Sequence, residues 1–449
     1  MGKNTVILIH GYADRGESFQ EWRDQLIQRG YQVKSLSYTT LSDEVTIKDI
    51  ADGFERALNL PGGLAADEQF DAIVHSTGML VVRTWLTAYP SRRQRLKRLI
   101  GLAPANFGSP LAHRANSWFG KIMQGNRQKG ENFLEMGDRV LDALELGSSF
   151  TWDLAHQDLS PHSSTSLRGN HPDTPYIFIL CGTSEYTGWK KLIRRPGGGT
   201  DGTVRWAGCG LQVRKLVVDL TKEQTDTHRV ELEDGEIPRI SPLIAIAGLT
   251  HRDILKHPNH QVIDLVDQAL QVSDDTSFRE WVATSEEKTQ AEWEKIAYWQ
   301  QFIINAIDQR GDAIPEYEIQ LMTKRGGKLE VIPEFKLDMH IYRRDRSLRC
   351  FHVNLQPILE QCLDNLWLQI STTSGSSLVY YHGLVSPSEE IISSKGNWSG
   401  AIDISKYLEA AKPKIFTPLT TTLIELRLYR QPLENGIEVN HKVCWFLDN

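Results

Sequence analysis

Three observations predict an α/β fold, with a mostly parallel, doubly wound sheet followed by a β-rich second region. Through residues 1–272, short runs of apolar, β-favouring residues alternate with amphipathic helical patterns, which argues for a parallel sheet covered on both faces. Phe70 to Trp85 reads FDAIVHSTGMLVVRTW, an apolar run that breaks at His75-Ser76-Thr77-Gly78 and resumes at helical spacing, so a strand, a sharp turn and a helix are expected. After Gly311 short alternating runs separated by polar turns suggest an antiparallel sandwich.

The elements follow in order. Thr5 to Ile9 is a buried-type strand ending in His10-Gly11-Tyr12. Phe19, Trp22, Leu26 and Ile27 recur at helical spacing before Gly30, a C-cap. Val33 to Tyr38 is the next strand, and Ile47, Ile50, Phe54, Ala57 and Leu58 mark a second helix closed by Leu60-Pro61-Gly62-Gly63. The Phe70–Trp85 stretch comes next, then a strand at Leu99 to Ala103. From Phe107 to His171 the pattern becomes helical and amphipathic, an insertion placed to act as a lid, with an extra packed helical pair as the plainer reading. Tyr176 to Leu180, Lys215 to Leu220 and Pro242 to Ala247 are read as the remaining strands of this sheet, the last ending in Gly248-Leu249-Thr250-His251. Residues 273–310 read as a helical connector and 311–449 as an antiparallel β-rich accessory domain.

In a parallel sheet the loops at the carboxyl ends of the strands share one edge, where ligands bind. A serine at a strand-to-helix turn is pushed into that cleft with the amide of the next residue beside it, the geometry of an acyl-transfer nucleophile. The usual form of the turn, G-x-S-x-G, keeps Gly78 here but has Val74 in place of its first glycine. A hydroxyl is a poor nucleophile at neutral pH, so a histidine must take its proton and a carboxylate must orient that histidine. Ser76, Asp201 and His251 occur in the order that such a fold requires, each after a strand or in a turn. Singly each has a duller reading, Asp201 as an Asp-Gly turn and His251 as a surface histidine. Gly11 or Tyr12 after the first strand, together with Thr77, can offer backbone N–H groups to an oxyanion; a tight turn needing a glycine is the alternative at Gly11. Asp219 and Asp226 are fallback carboxylates, and His75, His257 and His260 are further histidines nearby in sequence.

These stretches together resemble the serine lipases and esterases of the α/β-hydrolase superfamily: ILIHGY at 7–12, VHSTG at 74–78, FGSP at 107–110, TDGTV at 200–204 and THRDIL at 250–255. The branch most similar includes the lecithin-cholesterol acyltransferases and GPI inositol-deacylase-like lipases. The resemblance implies an α/β-hydrolase catalytic domain over 1–272, Ser76 as nucleophile, His251 as base and then acid, Asp201 as its orienter, and Gly11 or Tyr12 with Thr77 as oxyanion hole.

A formal charge of −7 and a pI near 6.1 give no reason to expect nucleic acid as a partner. No His, Asp, Glu or Cys set has metal-ligand spacing, Gly197-Gly198-Gly199 lacks the Lys-Ser/Thr of a phosphate cradle, and no cofactor is expected. The scattered cysteines and the short apolar runs fit a cytoplasmic protein, with export by a dedicated secretion machine as the alternative. The expected substrate is a lipid or other acyl ester, and the aromatics Trp367, Tyr380, Tyr381, Trp398 and Trp445 could contact a membrane surface or a protein partner. Basic clusters at Arg92–Arg98, Lys190–Arg195 and Tyr342–Arg349 could touch anionic headgroups, though core packing and solvated faces are the simpler explanations of both sets. An ester hydrolase is the leading expectation. A secreted antibacterial phospholipase toxin and a catalytically silent hydrolase-fold binding protein are its rivals.

Overall fold

The structure, a computed structural model, describes residues 5–12, 16–40, 42–112, 138–168, 173–186, 198–235, 237–376, 378–386, 390–392, 397–409, 414–432 and 443–444. Two compact units share the chain: Met1–Gln212 with Glu236–Ala297, and Val213–Gly235 with Tyr298–Asn449.

In the first unit β1 (Thr5–Ile9), β2 (Gln32–Leu36), β3 (Phe70–His75), β4 (Leu96–Leu102), β5 (Tyr176–Gly182) and β6 (Ile240–Ile246) form one sheet in the order β2-β1-β3-β4-β5-β6, every pair parallel. All residues of β1 and β3 are buried, as strands covered on both faces must be. Helices α1 (Gln20–Gln28), α2 (Ile47–Asn59) and α3 (Gly78–Ala88) follow the first three strands. The start of α2 is fixed by a capping box between Thr46 and Asp49. α3 is apolar around nearly its whole circumference and is buried from Gly78 to Leu86. It packs on α2 and β3 through Trp85, whose ring centroid lies 5.5 Å from Phe54 and 6.0 Å from Phe70, and whose indole N–H donates to Glu55 at 2.7 Å. The helix Asp275–Ile296, expected as part of a connector, belongs to this unit: Phe278 and Trp281 lie 5.4 and 4.6 Å from Phe178 on β5. Of the expected lid, residues 113–137 and 169–171 lie outside the described residues; within the described part, helices Asp138–Ala143 and Ser149–Asp158 are present.

Two readings need correction. Lys215 to Leu220 does not close the parallel sheet. Val213–Asp219 runs instead in the second unit, parallel to Thr421–Pro432 and antiparallel to Val230–Glu233. Its residues alternate, with Leu216 and Val218 entering that unit's core and Arg214, Lys215 and Asp219 interrupting the apolar run, a pattern unlike the continuous apolar strands of a doubly covered sheet. The helical reading also runs too far. The helix stops at Ile296, and Trp299–Asp308 is a strand between Leu348–Asn354 and Thr421–Pro432, with Phe302, Ile304 and Ala306 facing the core. Phe302, Ile304 and Ala306 fit an alternating period while Ile303, Ile304 and Ile307 fit a helical one, and β-branched residues favour the strand.

The second unit is a sandwich of two sheets. One is wholly antiparallel, built from Lys328–Val331, Tyr317–Arg325, Trp367–Thr373, Asn397–Asp403 and Glu390–Ile392 in that order. The other is mixed rather than antiparallel, because Thr421–Pro432 runs parallel to both its central neighbours. Of the aromatics expected at a contact surface, Trp398 and Tyr381 are buried, Trp367 and Tyr380 are half-buried, and Trp445 lies outside the described residues. Three arginines of the basic run after α3 are used internally: Arg93 donates to carbonyls of Leu86, Thr165 and Ser166, Arg95 to Asn59 and the Ala65 carbonyl, and Arg98 to Asp71, while Arg92 is exposed beside Glu55. Lys190–Arg195 is outside the described residues. No helix among the described residues is long and apolar enough to cross a membrane.

Candidate active site

The turn after β3 is strained where the chemistry would need it. Ser76 has φ of 52°, a left-handed conformation that a side chain disfavours, and it persists because the surroundings fix it. Its N–H donates to the Leu102 carbonyl at 3.2 Å, and its own carbonyl accepts from the Met79 and Ala105 amides. Gly78 lets α3 approach β1: a Cβ there would stand 2.7 Å from the Ile9 carbonyl oxygen and 2.8 Å from that of His10. Gly78→Ala is therefore expected to destabilise the protein by about 1–3 kcal/mol, the usual effect of overpacking, read by urea unfolding. Val74, which replaces the elbow's first glycine, pairs with Ile9 on one side and with Gly101 on the other, so the β4 neighbour brings no side chain to crowd it.

At the ends of β5 and β6 the fold joins two residues far apart in sequence. His251 Nδ1–H donates to Asp201 Oδ2 at 2.7 Å with both side chains fully buried, and the His251 amide donates to the Asp201 carbonyl at 3.0 Å. The second carboxylate oxygen accepts from the Thr203 and Val204 amides at 2.9 and 2.8 Å. These bonds hold the carboxylate in one orientation. With the proton on Nδ1, the lone pair lies on Nε2, which has no partner among the described residues. Such an imidazole is prepared to accept a proton. Tyr186 lies over the Asp201 turn, so close that a Cβ at Gly202, whose φ is +100°, would stand 2.6 Å from its ring. Burial pushes the Tyr186 phenol up, so it stays neutral. Cys181 Sγ sits 3.6 Å from Asp201 Oδ2 and 3.5 Å from Cys209 Sγ, and burial raises both thiols.

Gly11 abuts the serine: a Cβ on it would lie 3.0 Å from Ser76 Cβ and 3.2 Å from His75 Nδ1. The preceding His10 is stacked on Tyr38 at 4.1 Å, takes the Tyr38 amide on Nε2 at 3.2 Å, and so donates from Nδ1 to the Gly11 carbonyl at 2.8 Å. In a trans peptide the N–H points opposite the carbonyl, so this bond directs the Tyr12 N–H away from His10. The Thr77 amide is among the orphan donors at the start of α3. His75 Nε2–H donates to the His251 carbonyl at 2.9 Å, and burial together with neighbouring His251 holds His75 well below the ordinary imidazole range.

Below the turn, Arg83 of α3 is fully buried against the fully buried Asp158, with Nε–Oδ2 at 2.7 Å and Nη2–Oδ1 at 2.9 Å. Its remaining nitrogen donates to Asn106, whose amide donates to the Cys209 carbonyl at 2.6 Å. One guanidinium thus ties the serine's helix to the insertion and to the segment following Asp201. An arginine inside the apolar run MLVVRTWL signals such a buried carboxylate, but sequence does not say which one. Of the fallback groups, Asp219 and Asp226 fall in the second unit, and His257 and His260 flank and open helices beyond His251.

No protein-family model matches the chain, and no curated protein matches it. Among solved structures, phospholipase PlaB from Legionella pneumophila is similar with a TM-score of 0.74 at 22% identity, over 98% of this chain and 97% of that one. The same phospholipase in complex with thio-NAD gives 0.71 at 22% identity, over 97% and 96%. Likeness along nearly the full length of both chains, together with the six-stranded parallel sheet, shows that this chain has the α/β-hydrolase fold and a β-rich second unit.

Proposed function

We propose that the protein is a serine ester hydrolase that cleaves a lipid or other acyl ester through an acyl-Ser76 intermediate. The observation that carries this reading is the buried Asp201–His251 pair, with Nε2 unpartnered among the described residues, on the same sheet edge as a serine held at φ of 52°. Ser76 Oγ attacks the ester carbonyl carbon while His251 Nε2 takes its proton, and Asp201 stabilises the resulting imidazolium. The amides of Thr77 and Tyr12 receive the oxyanion. Collapse of the tetrahedral intermediate expels the alcohol, which takes the proton from Nε2. Water, deprotonated by the same nitrogen, then releases the acid and restores Ser76.

Within the ester class a phospholipid is the favoured substrate, since the full-length structural neighbour bears the name phospholipase. A lipid substrate implies transient contact with a membrane surface. Intact-mass analysis after fluorophosphonate treatment tests the reading. A single adduct on the native chain, absent in Ser76→Ala, and loss of essentially all esterase turnover in that variant are expected. Turnover surviving in Ser76→Ala would refute it.

A further inference from the structure

We propose that His75 is a positioning residue for His251: it holds the backbone of the histidine loop at a fixed depth against the serine turn, and so sets the place of the proton acceptor. The inference rests on the reading of Ser76 and His251 given above. It starts from where β3 ends. His75 is the last residue of that strand, bonded covalently to Ser76, and its ring is fully buried. Its Nε2–H donates to the carbonyl of His251 itself at 2.9 Å, not to a neighbour of that residue, and the two rings pack with centroids 4.7 Å apart at 49°. Its other nitrogen faces Gly11, where an added Cβ would come within 3.2 Å. One neutral ring therefore stands between the loop of the proton acceptor, the serine turn and Gly11.

The direction of the bond matters. A carbonyl only accepts, so His75 must keep its proton on Nε2, and Nδ1 is left bare, without a partner among the described residues. That tautomer leaves a buried acceptor unsatisfied, which costs free energy. The arrangement gives up satisfaction at Nδ1 and keeps the link to His251. Without that link, His251 is still held by Asp201 from the side of its ring and amide, yet the loop has lost its tie to the strand that carries the serine. Proton transfer is steep in donor–acceptor distance, and a misplacement of about 1 Å can cost on the order of 10²-fold in rate.

Two variants of the full chain, H75Q and H75N, separate positioning from mere core filling. Both side chains end in a primary amide of like polarity, but the Gln amide nitrogen reaches the place of Nε2, whereas that of Asn stops near Nδ1. With p-nitrophenyl butyrate as substrate, H75N is expected to lose about 10²-fold in kcat with KM changed less than about twofold, while H75Q stays within about tenfold of the native rate. Fluorophosphonate labelling of Ser76 should slow in the same order, with equal thermal midpoints in the two variants. Equal rates in H75Q and H75N, native rates in both, or a rate difference that follows their midpoints would overturn the proposal. If both fail to fold, His75 is a core residue alone and the proposal falls. A native chain that neither hydrolyses the ester nor takes the label would instead remove the reading of Ser76, and that result is seen before any variant is made.

Discussion

Asp201→Asn is expected to lower kcat by about 10⁴-fold while leaving the fold in place, the size of effect known for the equivalent change in a serine protease triad. The cause lies in the two sides of the carboxylate. One oxygen is occupied by the amides of Thr203 and Val204, both donors, so the carbonyl oxygen of an introduced Asn must turn toward them. The NH₂ group then faces His251 Nδ1 at the place where a 2.7 Å bond now runs, and two donors cannot meet. His251 must give up its Nδ1 proton and carry it on Nε2, the nitrogen that has to accept from Ser76. Steady-state kinetics on a p-nitrophenyl ester, with circular dichroism to check the fold, measures this. A kcat within tenfold of native would mean that another carboxylate orients His251.

The second large effect concerns stability. Asp158→Ala should destabilise the protein by about 3–5 kcal/mol, because it strands a guanidinium that has no exposure and cannot reach water. A loss of that size corresponds to a drop on the order of 10 °C in thermal midpoint. The double replacement Arg83→Met, Asp158→Leu should recover most of it, since matched apolar groups often replace a buried pair at little cost. Calorimetry of the single and double variants decides the matter.

Much of the first unit is legible in the sequence because its signals are local. Continuous apolar runs such as TVILI and YIFILCG mark strands covered on both faces, and HSTG between a strand and an apolar helix marks the turn. The order Ser76, Asp201, His251 is also visible, since the fold imposes chain order on its loops. Contacts between distant segments are not visible. The bond from His75 joins residues 176 apart, and Arg83 meets Asp158 across 75 residues. Nothing near either residue names its partner. The segment around Lys215 joins the other sheet for a related reason: a strand pattern says that a strand forms but not which sheet receives it, and the partner that decides, Thr421–Pro432, lies some two hundred residues further along the chain. In Trp299–Asp308 two periods fit one apolar run, and only the neighbouring strands settle which is used.

The excursion of Val213–Gly235 bears on the order in which the protein can be completed during synthesis. Every strand of the parallel sheet, and the helix that covers β5, has been made once Ala297 emerges. The strand Val213–Asp219 is by then long synthesised, yet its parallel neighbour, Thr421–Pro432, follows more than two hundred residues later. Pairing across such a separation is slow, because loop closure precedes any reward from the contact. A nascent or prematurely ended chain that stops before Thr421 thus carries a finished hydrolase sheet together with a strand edge open to any passing chain, and an open edge is a template for aggregation. The last strand among the described residues is the one that makes the middle of the chain safe.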